Sequence, residues 1–324
     1  MLKNTATDFN KALQKWFRAH GRILPWRSNP SPYAVLVSEF MLQQTTVAAV
    51  QPFFQRWMKR FPDAASLASA PEEQVMKHWE GLGYYSRARN LHRAAQDIAS
   101  QFGGVIPGDL DLLRALPGVG PYTASAVAAF AFDQVVPVLD ANIQRVIARL
   151  FNFQENITTA AGKKFLDQAA MSLLPKNGGR EHASALMDLG ATICRAGRPD
   201  CLSCPVSRFC RATEPASLPI KPARKAITEI EDWRAYCTQR DKIFLIQSTG
   251  PVWKGLWLLP PAASSDQTLL QVRYAITRYA VNLHIVGAEP LPTWQAFSLG
   301  DLPSMPSPHR KVVAMLMLQK NELS

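Results

Sequence analysis

Leu116-Pro117-Gly118-Val119-Gly120-Pro121-Tyr122-Thr123-Ala124 is the stretch on which the fold turns. Two glycines, two residues apart and behind a proline, predict a tight hairpin that opens a helix at its N-terminus. Backbone N–H groups at such a turn can approach a phosphate with no side chain in the way. Read alone, the pattern suits a plain helix–helix turn equally well. Its continuation says more. A small-residue helix is expected from Thr123 to Phe132. The run Val135-Val136-Pro137-Val138-Leu139 then leads to Asp140-Ala141-Asn142, with Arg145 and Arg149 following at helical spacing. An acid after an apolar run is ordinarily a helix N-cap, so Asp140 by itself reads as a cap.

Upstream of the hairpin the chain reads as helices. Ala34 to Val37 with Met41-Leu42 fits one apolar-faced helix, and Ala64 to Ala68, Val75 to Trp79 and Ala94 to Ile98 fit others. Gly81, Gly83, Gly103-Gly104 and Pro107 punctuate them. Downstream stand Cys194, Cys201, Cys204 and Cys210, spaced C-x6-C-x2-C-x5-C, with Cys237 well outside. Four thiolates crowded into so short a segment repel one another unless a cation neutralises them, and the candidates are a structural zinc or a [4Fe–4S] cluster. Zinc ligands usually come as two short knuckles. One knuckle flanked by two longer arms suits the cuboidal cluster better. Arg195, Arg198, Arg208 and Arg211 surround it, positive charge fit to grip phosphates.

Composition agrees with a nucleic-acid partner. The 324 residues carry a formal net charge of +11 and a pI near 9.6, and each phosphate that Lys or Arg neutralises releases condensed counterions. With 47% hydrophobic residues the chain can bury a full core, which excludes global disorder. The longest apolar stretch, Ala124 to Phe132, is far short of the ~18 residues of a membrane span. Met1-Leu2-Lys3-Asn4-Thr5 and Asp8 show no apolar region of a secretory signal. A cytoplasmic, reducing location follows (at the nucleoid, in a bacterium), where cysteines serve as ligands or buried thiols rather than disulfides. No membrane association is expected.

Two domains are expected. A helical part spans 1–213. A linker follows over 214–230, where Pro215, Pro219 and Pro222 sit among Lys221, Arg224 and Lys225. A β-rich part covers 231–324, with candidate strands at Lys242–Ile246, Gly255–Leu258 and Tyr279–Ile285 and a closing helix at Lys311–Gln319.

Taken together, the motifs resemble the helix-hairpin-helix glycosylases of the endonuclease III superfamily, in its adenine DNA glycosylase (MutY-type) branch. Leu24-Pro25-Trp26-Arg27, Ser38-Glu39-Phe40-Met41-Leu42-Gln43-Gln44-Thr45 and Gly81-Leu82-Gly83-Tyr84-Tyr85-Ser86-Arg87-Ala88-Arg89 match its segments in order. The hairpin, Leu139-Asp140-Ala141-Asn142, Met187-Asp188-Leu189-Gly190 and the four cysteines complete the set, so the resemblance covers residues from about 20 to 213. It implies a mainly α helix-hairpin-helix fold with a [4Fe–4S] cluster loop, plus a C-terminal α+β Nudix-like domain. The implied activity is hydrolysis of the N-glycosidic bond of adenine mispaired with 8-oxoguanine or guanine in double-stranded DNA, by a monomer. A thymine or uracil mismatch glycosylase of the same fold, or a non-catalytic DNA-binding protein with a structural cluster, are the competing readings.

The resemblance also implies roles. Glu39, among Val37, Phe40 and Met41, would have its carboxyl pKa raised and would protonate a ring nitrogen of adenine. Asp140 would face the oxocarbenium-like sugar as an anion, with Asn142 holding a carboxylate or water in place. Tyr122 stands where strand-cleaving relatives carry a Schiff-base lysine, so base removal alone is expected. Gly118 and Gly120 would meet the DNA backbone. Gln43, Gln44 and Tyr84 would wedge into the stack beside an extruded base, and Trp26, Arg27 and Asp188 would shape the adenine pocket. In the C-terminal part, Gly255-Leu256-Trp257-Leu258-Leu259-Pro260 and Pro308-His309-Arg310-Lys311 resemble the branch's opposite-base reading domain, without a Nudix hydrolase box. Its reading turn aligns with Ala275-Ile276-Thr277-Arg278-Tyr279: Thr277 keeps the hydroxyl, and Arg278 replaces the usual imidazole. Arg donates two hydrogen bonds to a guanine Hoogsteen edge but reports poorly on the N7 proton of 8-oxoguanine.

Overall fold

The computed structural model describes residues 3–223, 226–250 and 252–322; Arg224 and Lys225 of the expected linker lie outside the described residues. The chain packs as two compact units, residues 1–69 with 90–223 and residues 70–89 with 224–324. The second grouping is tertiary. A short internal segment joins the C-terminal region rather than its sequence neighbours.

The first unit is helical. In order it holds α1 (Lys3–His20), α2 (Pro25–Ser28), α3 (Pro32–Leu42), α4 (Val47–Arg60) and α5 (Ala64–Ala68). α6 (Glu72–Trp79) and the first turn of α7 (Ser86–Phe102) belong to the second unit; the rest of α7 belongs to the first. There follow α8 (Leu110–Ala115), α9 (Pro121–Phe132), α10 (Ala141–Leu150), α11 (Ala160–Leu173) and α12 (Gly179–Asp188), which runs into a π-turn at Leu189–Ile193. The expected hairpin joins α8 to α9. Gly118 has φ +77°, and a Cβ there would meet the Asn90 side chain at 2.6 Å, so only glycine satisfies both the backbone and the space. Pro121 opens α9, where its missing N–H costs nothing. α9 is mostly apolar and buries Thr123, Ala124 and Ala126 to Ala129, whose mainly small side chains admit α3 alongside. The core of this unit gathers Phe9, Leu13, Ile143, Ile147, Leu166 and Leu186.

The second unit carries two small sheets. In one, β6 (Tyr279–Gly287) lies between β1 (Thr228–Tyr236), which it pairs in parallel, and β5 (Leu270–Ile276), which it pairs antiparallel. In the other, β3 (Lys242–Gln247) pairs antiparallel with β2 (Thr238–Gln239), β4 (Trp257–Leu258) and β7 (Gln295–Ser298). Helix α13 (Ser307–Glu322) places Val312 and Val313 against Ile243, Leu245, Leu283 and Ile285. The expected strands at 242–246, 255–258 and 279–285 correspond to β3, β4 and β6. β1 starts inside the expected linker, and its first four residues are exposed, so no apolar alternation announced it. Among the described residues no helix is long and apolar enough to cross a membrane.

Candidate active site

Ser31 caps α3 by accepting the Ala34 N–H, and two turns later the helix delivers Glu39 into the protein at 4% exposure. The hydroxyl of Tyr122, in the first turn of α9, is close enough to the Glu39 carboxyl to act on its ionisation. Burial pushes the Glu39 pKa up to about 7. The Tyr122 hydrogen bond opposes that rise, the nearby Asp140 charge adds to it, and Arg27 opposes it. Burial, then the Glu39 and Asp140 charges, drive the Tyr122 phenol well above its ordinary range, so it stays a neutral donor.

Asp140 caps α10. One carboxylate oxygen accepts the Ile143 N–H at 2.6 Å and the other accepts the Asn142 side-chain amide at 2.9 Å. Both donors and the α10 N-terminus hold this side chain in a fixed orientation. This α10 cap lies near enough to Glu39 for its charge to act on that carboxyl. The Asn142 side chain is in turn held by Arg145, whose Nη2 donates to Asn142 Oδ1 at 2.9 Å and to the Gly190 backbone carbonyl at 2.7 Å. A Cβ at Gly190 would lie 2.8 Å from that of Asn142, so glycine is what lets the π-turn approach α10 so closely.

Glu39 forms part of the wall of a cavity of about 600 Å³, with Trp26, Arg27, Val35, Ser184 and Met187 among the other lining groups. An apolar slot with a few convergent polar groups is the form taken by a small aromatic ligand site. Asp188 lies behind the lining rather than in it. Fully buried, it accepts two hydrogen bonds from Arg27 (2.9 Å each) and three from Arg22 (2.8, 2.9 and 2.7 Å). Burial raises its carboxyl pKa, but the hydrogen bonds of Arg27 and Arg22 and the Arg27 charge outweigh this and hold it below the usual range. Asp188 thus orients the arginines that face the cavity. Sequence reasoning missed Arg22, Ser184 and Met187 as lining residues; Arg22 sits in a loop without periodicity, and its partner is 166 positions away.

Of the expected wedge residues, Gln44 is exposed with φ +57°, just past the end of α3, and Gln43 donates to the Thr123 hydroxyl at 3.4 Å. In the second unit, Tyr84 and Tyr85 part ways. Tyr84 is 42% exposed with φ +48°, whereas Tyr85 is buried and its hydroxyl donates to the Met305 carbonyl at 3.0 Å. Thr277 (φ +52°) and Arg278 form the exposed two-residue turn between β5 and β6, and the Arg278 guanidinium lies 5.1 Å from the Tyr279 ring centre. Tyr84 and Thr277 line one further cavity of about 600 Å³. Gly118 and Gly120 form the hairpin, outside the Glu39 cavity; nothing lies within 4 Å of a Cβ built at Gly120.

The four cysteines share one loop. Burial pushes the Cys204 thiol up to about 11; a backbone hydrogen bond opposes this, and the thiols of Cys194, Cys210 and Cys201 add to it, so the four sense one another's charge. Among the described residues no three His, Cys, Asp or Glu side chains are arranged to hold a single metal ion. Arg149, 1% exposed, donates to Cys194 Sγ at 3.2 Å and to the carbonyls of Cys194, Arg195 and Leu218, while its Nη2 has no partner. A buried guanidinium with an unsatisfied nitrogen calls for negative charge nearby. Thiolates at Cys194 and its neighbours would supply it, so donor set and environment suit a thiolate-ligated cluster.

Comparison with known proteins gives concordant findings. The HhH-GPD superfamily of base excision DNA repair proteins matches residues 37–172. The adenine DNA glycosylase of Mycolicibacterium smegmatis is 44% identical over 200 residues, covering 61% of this chain and 67% of that protein. That of Mus musculus is 40% identical over 235 residues, covering 69% of this chain but 46% of the mouse protein. Among solved structures, a thermostable thymine-DNA glycosylase superposes with a TM-score of 0.59 at 28% identity, over 64% of this chain and 95% of that one.

Proposed function

The chain belongs to the adenine DNA glycosylase family of HhH-GPD base excision repair proteins, and from that premise we propose that it removes adenine mispaired with 8-oxoguanine or guanine and leaves an abasic site. The observation that carries the chemistry is Glu39: a buried carboxyl in the wall of a base-sized cavity, its pKa pushed up to about 7 mainly by burial, with the Tyr122 hydroxyl and the Asp140 charge nearby.

Adenine turned out of the helix enters the cavity lined by Trp26 and Arg27. Glu39 hands its proton to a ring nitrogen as the N-glycosidic bond breaks and its electron pair leaves with the base. The sugar becomes oxocarbenium-like. Asp140, fixed by Asn142 and the α10 N-terminus, stabilises that cation. Water adds to the sugar carbon and gives up its proton to the Glu39 carboxylate, which restores the acid. Tyr122 offers a phenol where a Schiff-base enzyme needs an amine, so the strand stays intact.

The remaining assignments follow the same reading. Cys194, Cys201, Cys204 and Cys210 would hold a [4Fe–4S] cluster, which when bound would lend charge and rigidity to the loop that carries Arg195, Arg198, Arg208 and Arg211. Residues 231–324, behind a linker at 214–230, would be the Nudix-like domain that inspects the opposite base, and Thr277 and Arg278 would form its reading turn. The protein would act as a cytoplasmic monomer on double-stranded DNA. Likeness to a thymine-DNA glycosylase favours a second reading, thymine removal, but thymine does not require an acid at Glu39.

One experiment separates these. Duplexes carrying A, T or U opposite G or 8-oxoguanine are incubated with the protein, and abasic sites are cleaved with alkali. Cleavage at A is expected; cleavage at T or U without A overturns the proposal. The purified protein should also be yellow-brown with about four irons per chain, and stoichiometric zinc in a colourless anaerobic preparation would overturn the cluster.

A further inference from the structure

Three of the four residues of the Gly81–Tyr84 loop have left-handed backbones: Gly81 (φ +103°), Gly83 (φ +70°) and Tyr84 (φ +48°). For tyrosine this conformation is unfavourable and persists only when its surroundings impose it. Part of the imposition is local. Trp79 Nε1 donates to the Gly83 carbonyl at 3.0 Å, and Arg87 Nη2 donates to the carbonyls of Leu82 and Gly83 at 3.1 and 3.2 Å. The Arg87 guanidinium also lies 5.4 Å from the Tyr84 ring centre.

The rest of the imposition comes from α13 and the segment before it, within the same unit. Glu80, the residue preceding the loop, takes a two-pronged ion pair from Arg310 (2.5 and 2.9 Å), and Arg310 also donates to the Pro303 carbonyl at 2.7 Å. Tyr85, the residue following the loop, donates to the Met305 carbonyl. The loop is therefore pinned immediately before and immediately after its exposed tyrosine. The two side chains of the Glu80–Arg310 pair are 16% and 30% exposed, a setting in which a forked pair is strong and geometrically exacting. The nearby Lys77–Asp301 pair is 56% and 81% exposed and contributes little.

We propose that the Glu80–Arg310 pair is a positioning device through which α13 fixes the Gly81–Tyr84 loop, so that Tyr84 enters the DNA stack already ordered. A loose loop would pay its ordering entropy at each insertion; a pinned one has paid it on folding. The inference rests on the reading of Tyr84 as the wedge. It adds that the C-terminal helix acts on base extrusion through the Glu80–Arg310 ion pair, apart from any contact its own unit makes with the opposite base.

The test uses the full chain at saturating concentration on a duplex with A opposite 8-oxoguanine and 2-aminopurine in the neighbouring base pair. Two signals are read: the single-turnover rate of adenine loss and the fluorescence rise on unstacking. Arg310→Glu and Glu80→Arg should each lower both signals by roughly tenfold, mid-range for residues coupled in one network. The double swap should recover above either single variant. Glu80→Gln, nearly isosteric, should show a smaller loss in the same direction and carries the test if a reversed charge prevents folding. Wild-type rate and fluorescence in Arg310→Glu and Glu80→Gln would overturn the proposal, as would a double swap no better than the singles. So would a loss of thermal stability with both DNA signals unchanged, which is what a merely structural pair gives. Tyr84→Ala distinguishes the levels. If it lowers both signals while the Arg310 variants do not, the inference alone fails; if it leaves both at wild-type values, the wedge reading fails and takes the inference with it.

Discussion

Glu39→Gln separates what the site does from what it costs. The amide keeps the shape and still accepts the Tyr122 hydrogen bond, but it has no proton to give, so adenine release should fall by about 10²–10⁴-fold, the usual worth of a positioned general acid. Stability should move the other way. Glu39 is 4% exposed, and its pKa rises from an ordinary 4.5 to about 7, chiefly by burial. A carboxyl that binds its proton more tightly when folded stabilises the fold least when ionised. The wild type therefore loses stability as pH climbs from 4.5 through 7, by roughly 3 kcal/mol in all. Glutamine bears no such cost. Glu39→Gln should be the more stable protein by roughly 3 kcal/mol at pH 8 and by less than about 1 kcal/mol at pH 5. Thermal and urea unfolding of both proteins at the two pH values measure the gap, and single-turnover kinetics measure the loss. Wild-type turnover should also fall above pH 7 as the acid form is depleted. A stability difference that ignores pH would refute the raised pKa, and near-normal excision by the variant would remove Glu39 from the chemistry.

Three further outcomes are expected. Tyr122→Lys should create or raise borohydride-trapped protein–DNA adduct, because an amine would then sit beside Glu39 and Asp140; strong trapping by the wild type, unchanged by the substitution, would mean that another lysine reacts. Asp188→Asn should cost about 3–5 kcal/mol, the range for a buried ion pair that loses one partner, since Arg22 and Arg27 would be left facing an amide. Because its folded pKa is depressed, the contribution of Asp188 is present above its unfolded pKa and is lost as the protein is acidified, so the gap between variant and wild type should close at low pH in the same unfolding assay. Arg278→His should raise the excision rate of A opposite 8-oxoguanine relative to A opposite G, and an unchanged ratio would take Arg278 out of the reading turn.

Which elements form was largely written in local sequence. Gly118 has φ +77°, so Leu-Pro-Gly-Val-Gly marked a tight turn before a helix, while the continuation to Asp140 and the residues upstream were needed to tell it from a plain helix–helix turn. The Cys194–Cys210 spacing and the apolar neighbours of Glu39 likewise act over a few residues, and the raised carboxyl pKa they promised is found. Other features needed the fold. Tyr84 and Tyr85 are adjacent and identical in type, yet one is displayed and the other buried, because the Met305 carbonyl, 220 positions away, accepts a hydrogen bond from only one of them. Asp188 was expected to help shape the pocket, but that it sits behind the lining and holds Arg22 and Arg27 could be read only from the fold. Asp140 looked like a cap and is one; only the convergence of α3, α9 and α10 puts that cap beside Glu39 and Tyr122. The division follows from range. Backbone propensity, spacing and local burial are set by near neighbours, whereas the charge environment of a side chain is summed over every element packed around it, and sequence order does not list those.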